Sequence, residues 1–228
     1  ANLDDVDQDM SRAKDHTDSV SPAQNLQADE LRSLITEKGT YTPEPGDVRP
    51  FNDPVVRLGQ MLFFDKIVSG GSDVACATCH HPSFGTSDGL PTSIGVGGSG
   101  FGPSRADDAD GPVIPRNSPD LFNRGVELWA TMFWDGRVSA GDGYFDSPAG
   151  PNLPSELNSV LAVQAMFPPT SPHEMRGEPG SSEIADIDGQ DLQLIWDSLI
   201  AKILAIDEYV GLFADAYPDT SLEEIGFE

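Results

Sequence analysis

Apolar residues recur at helical spacing near both ends of the chain and are sparse between them. Over 26–38, LQADELRSLITEK, the apolar Leu26, Leu31, Leu34 and Ile35 predict an amphipathic helix. Over 53–65, DPVVRLGQMLFFD, Asp53 is placed to cap a helix and Pro54 to open it, ahead of Val56, Leu58, Met61, Leu62 and Phe63. LPSELNSVLAVQAMF (153–167) reads as a third helix. The strongest pattern lies in 188–218, where Leu192, Ile195, Trp196, Leu199, Ile200 and Ile203 share one face and a second helix follows from about Asp207. From Ser69 to about Asn123 the chain reads as loop, apart from a turn of helix around Cys76–His81, and 123–137 predicts a short helix or a strand pair. There is no internal repeat. The expected fold class is all-α, with long loops.

Punctuation sets the organisation. Residues 1–26 are acidic, polar and poor in large apolar side chains, and 40–54 form a proline-rich connector. The expected division is an arm with a short helix and connector over 1–52, and a domain over 53–228. Gly-rich GVGGSGFG (95–102) and ADDADGP (106–112) mark turns. DIDGQD (186–191) hints at a calcium loop. With Gly189 as the central glycine, however, the first and last ligand positions fall on Ile184 and Ile195, so an acidic helix N-terminus is the better reading.

Charge narrows the partners. With 38 acidic and 13 basic residues the net charge is −25, which argues against nucleic acid, because phosphate binding wants clustered Lys and Arg. A basic protein partner, bound metal ions, a salty environment or a plain solubilising surface all fit. No stretch is apolar enough to span a membrane. Ala1 is the kind of small residue that signal-peptide cleavage leaves, so a periplasmic or extracellular location is expected.

The two cysteines, Cys76 and Cys79, both lie in CATCH, a C-x-x-C-H motif for covalent attachment of c-type haem. The thiols add to the haem vinyl groups and His80 becomes the proximal iron ligand. Zinc would need further Cys or His at suitable spacing, and a redox dithiol would sit in a strand–helix unit. Haem c attachment takes place outside the cytoplasm, in agreement with the reading of Ala1. The apolar side of the 53–65 helix is expected to pack near the haem.

In order along the chain, RLGQMLFFDKIVSG (57–70), CATCHHPSFGTSDGLPTSIGVGG (76–98), PRNSPDLFN (115–123), FWDGR (133–137), QAMFPPTSPHEM (164–175) and IDEYVGLFADAYPD (206–219) resemble the N-terminal domain of bacterial di-haem cytochrome c peroxidases, the family that includes MauG. The resemblance implies a c-type cytochrome domain around one covalent haem. It matches Cys76, Cys79 and His80 to haem attachment, Trp134 to an electron conduit between two haems, Gln164 and Glu174 to the distal pocket, and Asn117 to an interdomain Ca2+ ligand. It further implies reduction of hydrogen peroxide, with electrons from a second haem or a cytochrome donor. Some relatives instead oxidise residues on a partner protein.

The chemistry suits these residue types. Splitting peroxide needs one group that takes up a proton and gives it back, which a carboxylate does when burial raises its pKa from about 4.3 toward neutrality. Gln164 can orient peroxide without titrating. Taken alone, Glu174 would read as a surface carboxylate, Trp134 as core, Gln164 as a solvated helix position and Asn117 as the start of a turn.

Two departures matter. The loop position where many relatives place a distal histidine is Val96, which cannot bind iron, so no sixth ligand is expected from this loop; His173, Met175, Met132 and Met166 are the other residues to weigh. The chain also holds no second C-x-x-C-H. A second haem would therefore lie in a missing C-terminal domain or on another subunit; the third reading is a single-haem protein, in which the helix faces near the end would need a partner or an oligomer to cover them. The expected function is a haem peroxidase domain. A non-catalytic electron-transfer subunit, with a thioether on the iron, and MauG-like modification of a partner protein are the other readings.

Overall fold

The computed structural model describes residues 22–39, 49–107, 112–126 and 129–221. The acidic arm up to residue 21 and most of the proline-rich connector lie outside them. Contacts divide the chain into units 1–44 and 45–228. In the first, helix α1 (Pro22–Glu37) begins at Pro22 rather than at Leu26, and Leu31, Leu34 and Ile35 are exposed.

The second unit contains five α-helices among its described residues. They are α2 (Pro54–Phe64), α3 (Cys76–Cys79), α4 (Val160–Ala165), α5 (Leu192–Leu204) and α6 (Asp207–Ala216). Asp53 caps α2, its carboxylate accepting the Val55 N–H at 2.9 Å with Pro54 at the first position. Asp191 caps α5 in the same way, accepting from Leu194 N–H at 3.2 Å. Helix α4 is shorter than the periodicity of 153–167 suggests. Ser159 caps it late, accepting from Ala162 N–H, and Pro168 follows closely behind its end.

The all-α expectation is corrected. Strands β1 (Gly98–Ser99) and β2 (Ala106–Asp107) pair antiparallel, and β3 (Thr131–Met132), β4 (Val138–Ala140) and β5 (Phe145–Asp146) form an antiparallel sheet in that order. Neither reading of 123–137 holds as made: among its described residues the segment carries one strand, β3, whose partner β4 lies just beyond it. The cause is turn chemistry. Asp135–Gly136 and Asp142–Gly143 sit between the strands, with Gly136 at φ 72° and Gly143 at φ 80°. Asp-Gly pairs favour hairpins, and the segments between them are too short to nucleate a helix.

Helix α5 is the spine. Its Trp196 is buried with Met132, Val138, Val163 and Phe167, and its indole N–H donates to the Met166 carbonyl at 2.9 Å. Ile195 and Leu199 pack on Ile184, and Ile203 joins Leu58, Tyr209 and Phe213, which brings α2, α5 and α6 together. The Tyr209 hydroxyl donates to Asp65 at 2.8 Å, tying α6 to the end of α2. Leu58 and Leu62 of α2 thus pack toward α6, while Met61 is exposed.

Past α2 the chain turns at Ser69, whose buried hydroxyl donates to Lys66 O and accepts the N–H groups of Asp73 and Val74. Lys202 Nζ donates to the Ser69 and Gly70 carbonyls at 2.6 and 3.1 Å. Gly70 N–H donates to Met175 O at 2.9 Å, and a Cβ there would overlap the Arg176 carbonyl. Gly70→Ala is therefore expected to cost about 1–3 kcal/mol in a chemical denaturation curve. Gly211→Ala is the control: it lies in α6 with nothing within 4 Å of the added carbon, and is expected to raise stability by up to about 1 kcal/mol.

Candidate functional site

Cys76 and Cys79 stand at the two ends of the single-turn helix α3, three residues apart and so on the same face. Burial raises both thiols. Cys79 is pushed up to about 12, by burial first and then by the charge of Asp88, with Arg105 opposing and Glu174 adding a little. Such thiols are poor thiolates, unlike those of a reactive dithiol. Among the described residues no group of three or more His, Cys, Asp or Glu could hold a metal ion.

His80 ends α3. Its Nδ1 lies 3.0 Å from the Thr86 carbonyl and 3.1 Å from the Pro119 carbonyl. Two acceptors fix the proton on Nδ1 and leave Nε2 as the nitrogen able to bind iron. Paired thiols on one face with a tautomer-locked imidazole directly after them fit a covalently attached haem.

The loop after α3 folds back through Val96. Arg105 is buried and clamps it, donating to the carbonyls of Ile94 at 2.7 Å, Gly95 at 2.6 Å and Gly100 at 3.3 Å. Val96 packs with Val74 and Met175, with Cys76 against the same cluster. Its N–H donates to the His173 carbonyl at 3.3 Å, and a Cβ on Gly95 would overlap that same carbonyl. The loop thus lies on a π-helical turn, Pro172–Arg176, which Ser171 caps by accepting the Glu174 N–H at 3.3 Å. Such turns recur at functional sites.

Glu174 rides on this turn. Burial raises its carboxyl above the ordinary range, while the charges of Arg137 and His173 oppose the shift. Its charge also acts on the Cys79 thiol, and Arg137 acts on Glu174. The structure therefore brings the attachment turn, Glu174 and the arginine of FWDGR into one electrostatic neighbourhood.

The other residues singled out in the sequence are placed as follows. Gln164 is half-buried on α4. Trp134 is 66 % exposed under the Arg116 guanidinium, 4.2 Å from the ring centre, so it is not a core tryptophan. Asn117 is exposed, its Nδ2 donating to Leu90 O at 2.6 Å. Met132 and Met166 pack with Trp196, Met175 with Val96, and His173 is exposed beside Glu178 at 3.1 Å. The sequence reading missed Thr86, Pro119, Arg105 and Arg137. Three of them, Thr86, Pro119 and Arg137, stood inside quoted motifs, but nothing in the residue pattern marks a backbone carbonyl as an imidazole acceptor.

Residues 53–228 match the family model of the di-haem cytochrome c peroxidases. Methylamine utilization protein MauG of Methylorubrum extorquens is 30 % identical over 176 residues, 77 % of this chain and 35 % of that protein. Cytochrome c peroxidase Ccp of Escherichia coli is 30 % identical over 169 residues, 74 % of this chain and 25 % of its own. Cytochrome c551 peroxidase of Pseudomonas aeruginosa is 34 % identical over 117 residues, 49 % of this chain and 29 % of its own. The chain spans about a third or less of the length of these relatives. With the family model matched from Asp53 to Glu228, the chain belongs to the di-haem cytochrome c peroxidase family.

Proposed function

We propose that residues 53–228 form the peroxide-reducing haem domain of a peroxidase, carrying one haem c on Cys76, Cys79 and His80. The observation that carries this reading is Glu174, a carboxyl raised by burial on a pinned turn beside the attachment helix. Haem c, when bound, supplies the iron at which peroxide accepts two electrons and its O–O bond breaks. Glu174 would take the proton from one peroxide oxygen and return it to the other, which leaves as water, and two further protons from solvent, with the two electrons, would turn the remaining oxygen into the second water. Gln164 orients the peroxide by hydrogen bonding. The charge of Arg137 opposes the upward shift of the carboxyl. The Met132 and Met175 side chains are packed in apolar clusters, at 7 % and 4 % exposure, which favours this reading over an electron-transfer subunit with a thioether on the iron.

Electrons arrive through Trp134 from a second haem, on another domain or subunit, or from a cytochrome. The exposed indole, stacked with Arg116, suits that contact. The same exposure also suits a MauG-like reaction in which a partner protein is oxidised. If Asn117 binds Ca2+, it does so through Oδ1, since Nδ2 is engaged with Leu90. Among the described residues no helix is long and apolar enough to cross a membrane. Covalent attachment of haem c takes place outside the cytoplasm, which supports a location in the periplasm or outside the cell.

Glu174→Gln in the haem-loaded protein is expected to lower peroxide turnover by about 10²–10⁴-fold while leaving the haem content and optical spectrum alone. Unchanged turnover rules out the proton-transfer role. A raised carboxyl is protonated, and so idle as a base, at pH values where an ordinary carboxyl is already ionised. Peroxide turnover is therefore expected to fall as pH drops through a midpoint above the ordinary carboxyl range, and Glu174→Gln should abolish that limb of the profile. The ferric protein is expected to show a high-spin spectrum that cyanide converts to low spin. A low-spin spectrum that cyanide does not move would instead support the electron-transfer subunit.

A further inference from the structure

The loop that closes the proximal side holds a strained residue whose every polar atom is engaged. Thr86 sits at φ 60°, a left-handed conformation that β-branched side chains avoid and that glycine or asparagine would adopt with less strain. Its carbonyl accepts from His80 Nδ1 at 3.0 Å and its N–H donates to His81 O at 3.0 Å. Its hydroxyl donates to Gly85 O at 2.7 Å and accepts the Leu121 N–H at 2.7 Å. Leu121 lies two residues past Pro119, whose carbonyl is the second acceptor on His80 Nδ1.

The segment 118–121 is a strap suspended from hydroxyl groups. Before Pro119, the Ser118 hydroxyl donates to Cys79 O at 2.7 Å and its N–H donates to Ser93 Oγ at 3.0 Å. The Ser87 hydroxyl donates to the Ser118 carbonyl at 2.8 Å. After Pro119, the Thr86 hydroxyl holds the strap. Proline has no N–H of its own, so these flanking bonds are what set the position of its carbonyl.

We propose that Thr86 is a positioning residue for His80, its hydroxyl holding Leu121 so that the imidazole donates to the Pro119 carbonyl as well as to that of Thr86. Two acceptors make the ring a stronger donor to iron than one acceptor would, which favours the ferric state and lowers the reduction potential. Glycine, which would relieve the strain at Thr86, supplies the carbonyl but not the hydroxyl. The inference rests on the reading of His80 as the haem ligand.

The test uses the full haem-loaded chain and compares Thr86→Val, Thr86→Ser, Thr86→Gly and Ser118→Ala by redox titration and by the iron–histidine stretching frequency of the reduced form. Thr86→Val keeps the shape and loses the hydroxyl. It is expected to raise the midpoint potential and lower the stretching frequency with haem content unchanged, and Thr86→Ser is expected to restore both. Thr86→Gly, which relieves the strain but also loses the hydroxyl, should show the same shifts and stands in if the valine variant does not fold. Ser118→Ala should shift both readouts in the same direction. An unshifted potential and frequency in haem-loaded Thr86→Val or Thr86→Gly overturns the role of Thr86 while the haem reading stands. A chain that takes up no covalent haem overturns both.

Discussion

The position of the Glu174 carboxyl depends on two places where backbone meets backbone too closely for any side chain. Gly70 lies against the Arg176 carbonyl and Gly95 against the His173 carbonyl, so the π-helical turn between them is gripped from both sides. The grip is directional. Gly70 N–H donates to Met175 O and Val96 N–H to His173 O, which consumes carbonyls that a π-helical turn leaves without partners. Each glycine is positioned by something larger. Gly70 is held by Lys202 reaching from α5, and Gly95 by the buried Arg105. The apolar spine of the domain thus reaches the candidate acid–base residue through a lysine, a glycine and a carbonyl rather than through packing.

The two sides of the attachment turn are held by different physics. On the side of Glu174 an apolar cluster of Val74, Val96 and Met175 does the holding, with the glycine contacts fixing the distance. On the side of His80 hydroxyl groups reach between segments more than thirty residues apart in sequence, as in the Ser118 bond to Cys79 and the Leu121 bond to Thr86. Apolar packing tolerates small displacements, whereas a hydrogen bond to a carbonyl fixes both distance and direction. That division suits a site where the imidazole must keep its tautomer while the opposite face admits a small substrate.

Much of this was legible in the residues. Asp53 and Pro54 announce α2, the periodicity of Leu192 to Ile203 announces α5, and CATCH with the blocks around it announces the family. What was not legible has definite causes. The sheet was missed because its strands are two or three residues long, too short for alternation to register, although the Asp-Gly pairs at 135–136 and 142–143 carried the signal. The shortness of α4 was hidden because Leu153 and Leu157 pack onto the same cluster as Val163 without being helical. The exposure of Trp134 could not be read, because an aromatic residue carries the same periodic signal whether it is buried or lies beneath an arginine. The double acceptor on His80 was invisible in principle, since it is made by backbone atoms.

Val96 shows how packing and coordination can be settled by one side chain. At 8 % exposure it lies among Val74, Met175 and Cys76, where its apolar surface is withdrawn from water and helps hold the loop onto the turn that carries Glu174. Burying a valine side chain contributes about 1.5–3 kcal/mol, less if the unfolded chain is already compact. A histidine at this position would face two incompatible demands. To stay in the cluster it would have to bury a polar ring among apolar neighbours, and to reach iron it would have to leave them, taking with it the contact that anchors the loop. Valine removes the conflict: the loop stays on the turn and the carboxyl keeps its place. In this chain the loop keeps its packing, and the turn that carries Glu174 stays gripped by Gly70 and Gly95.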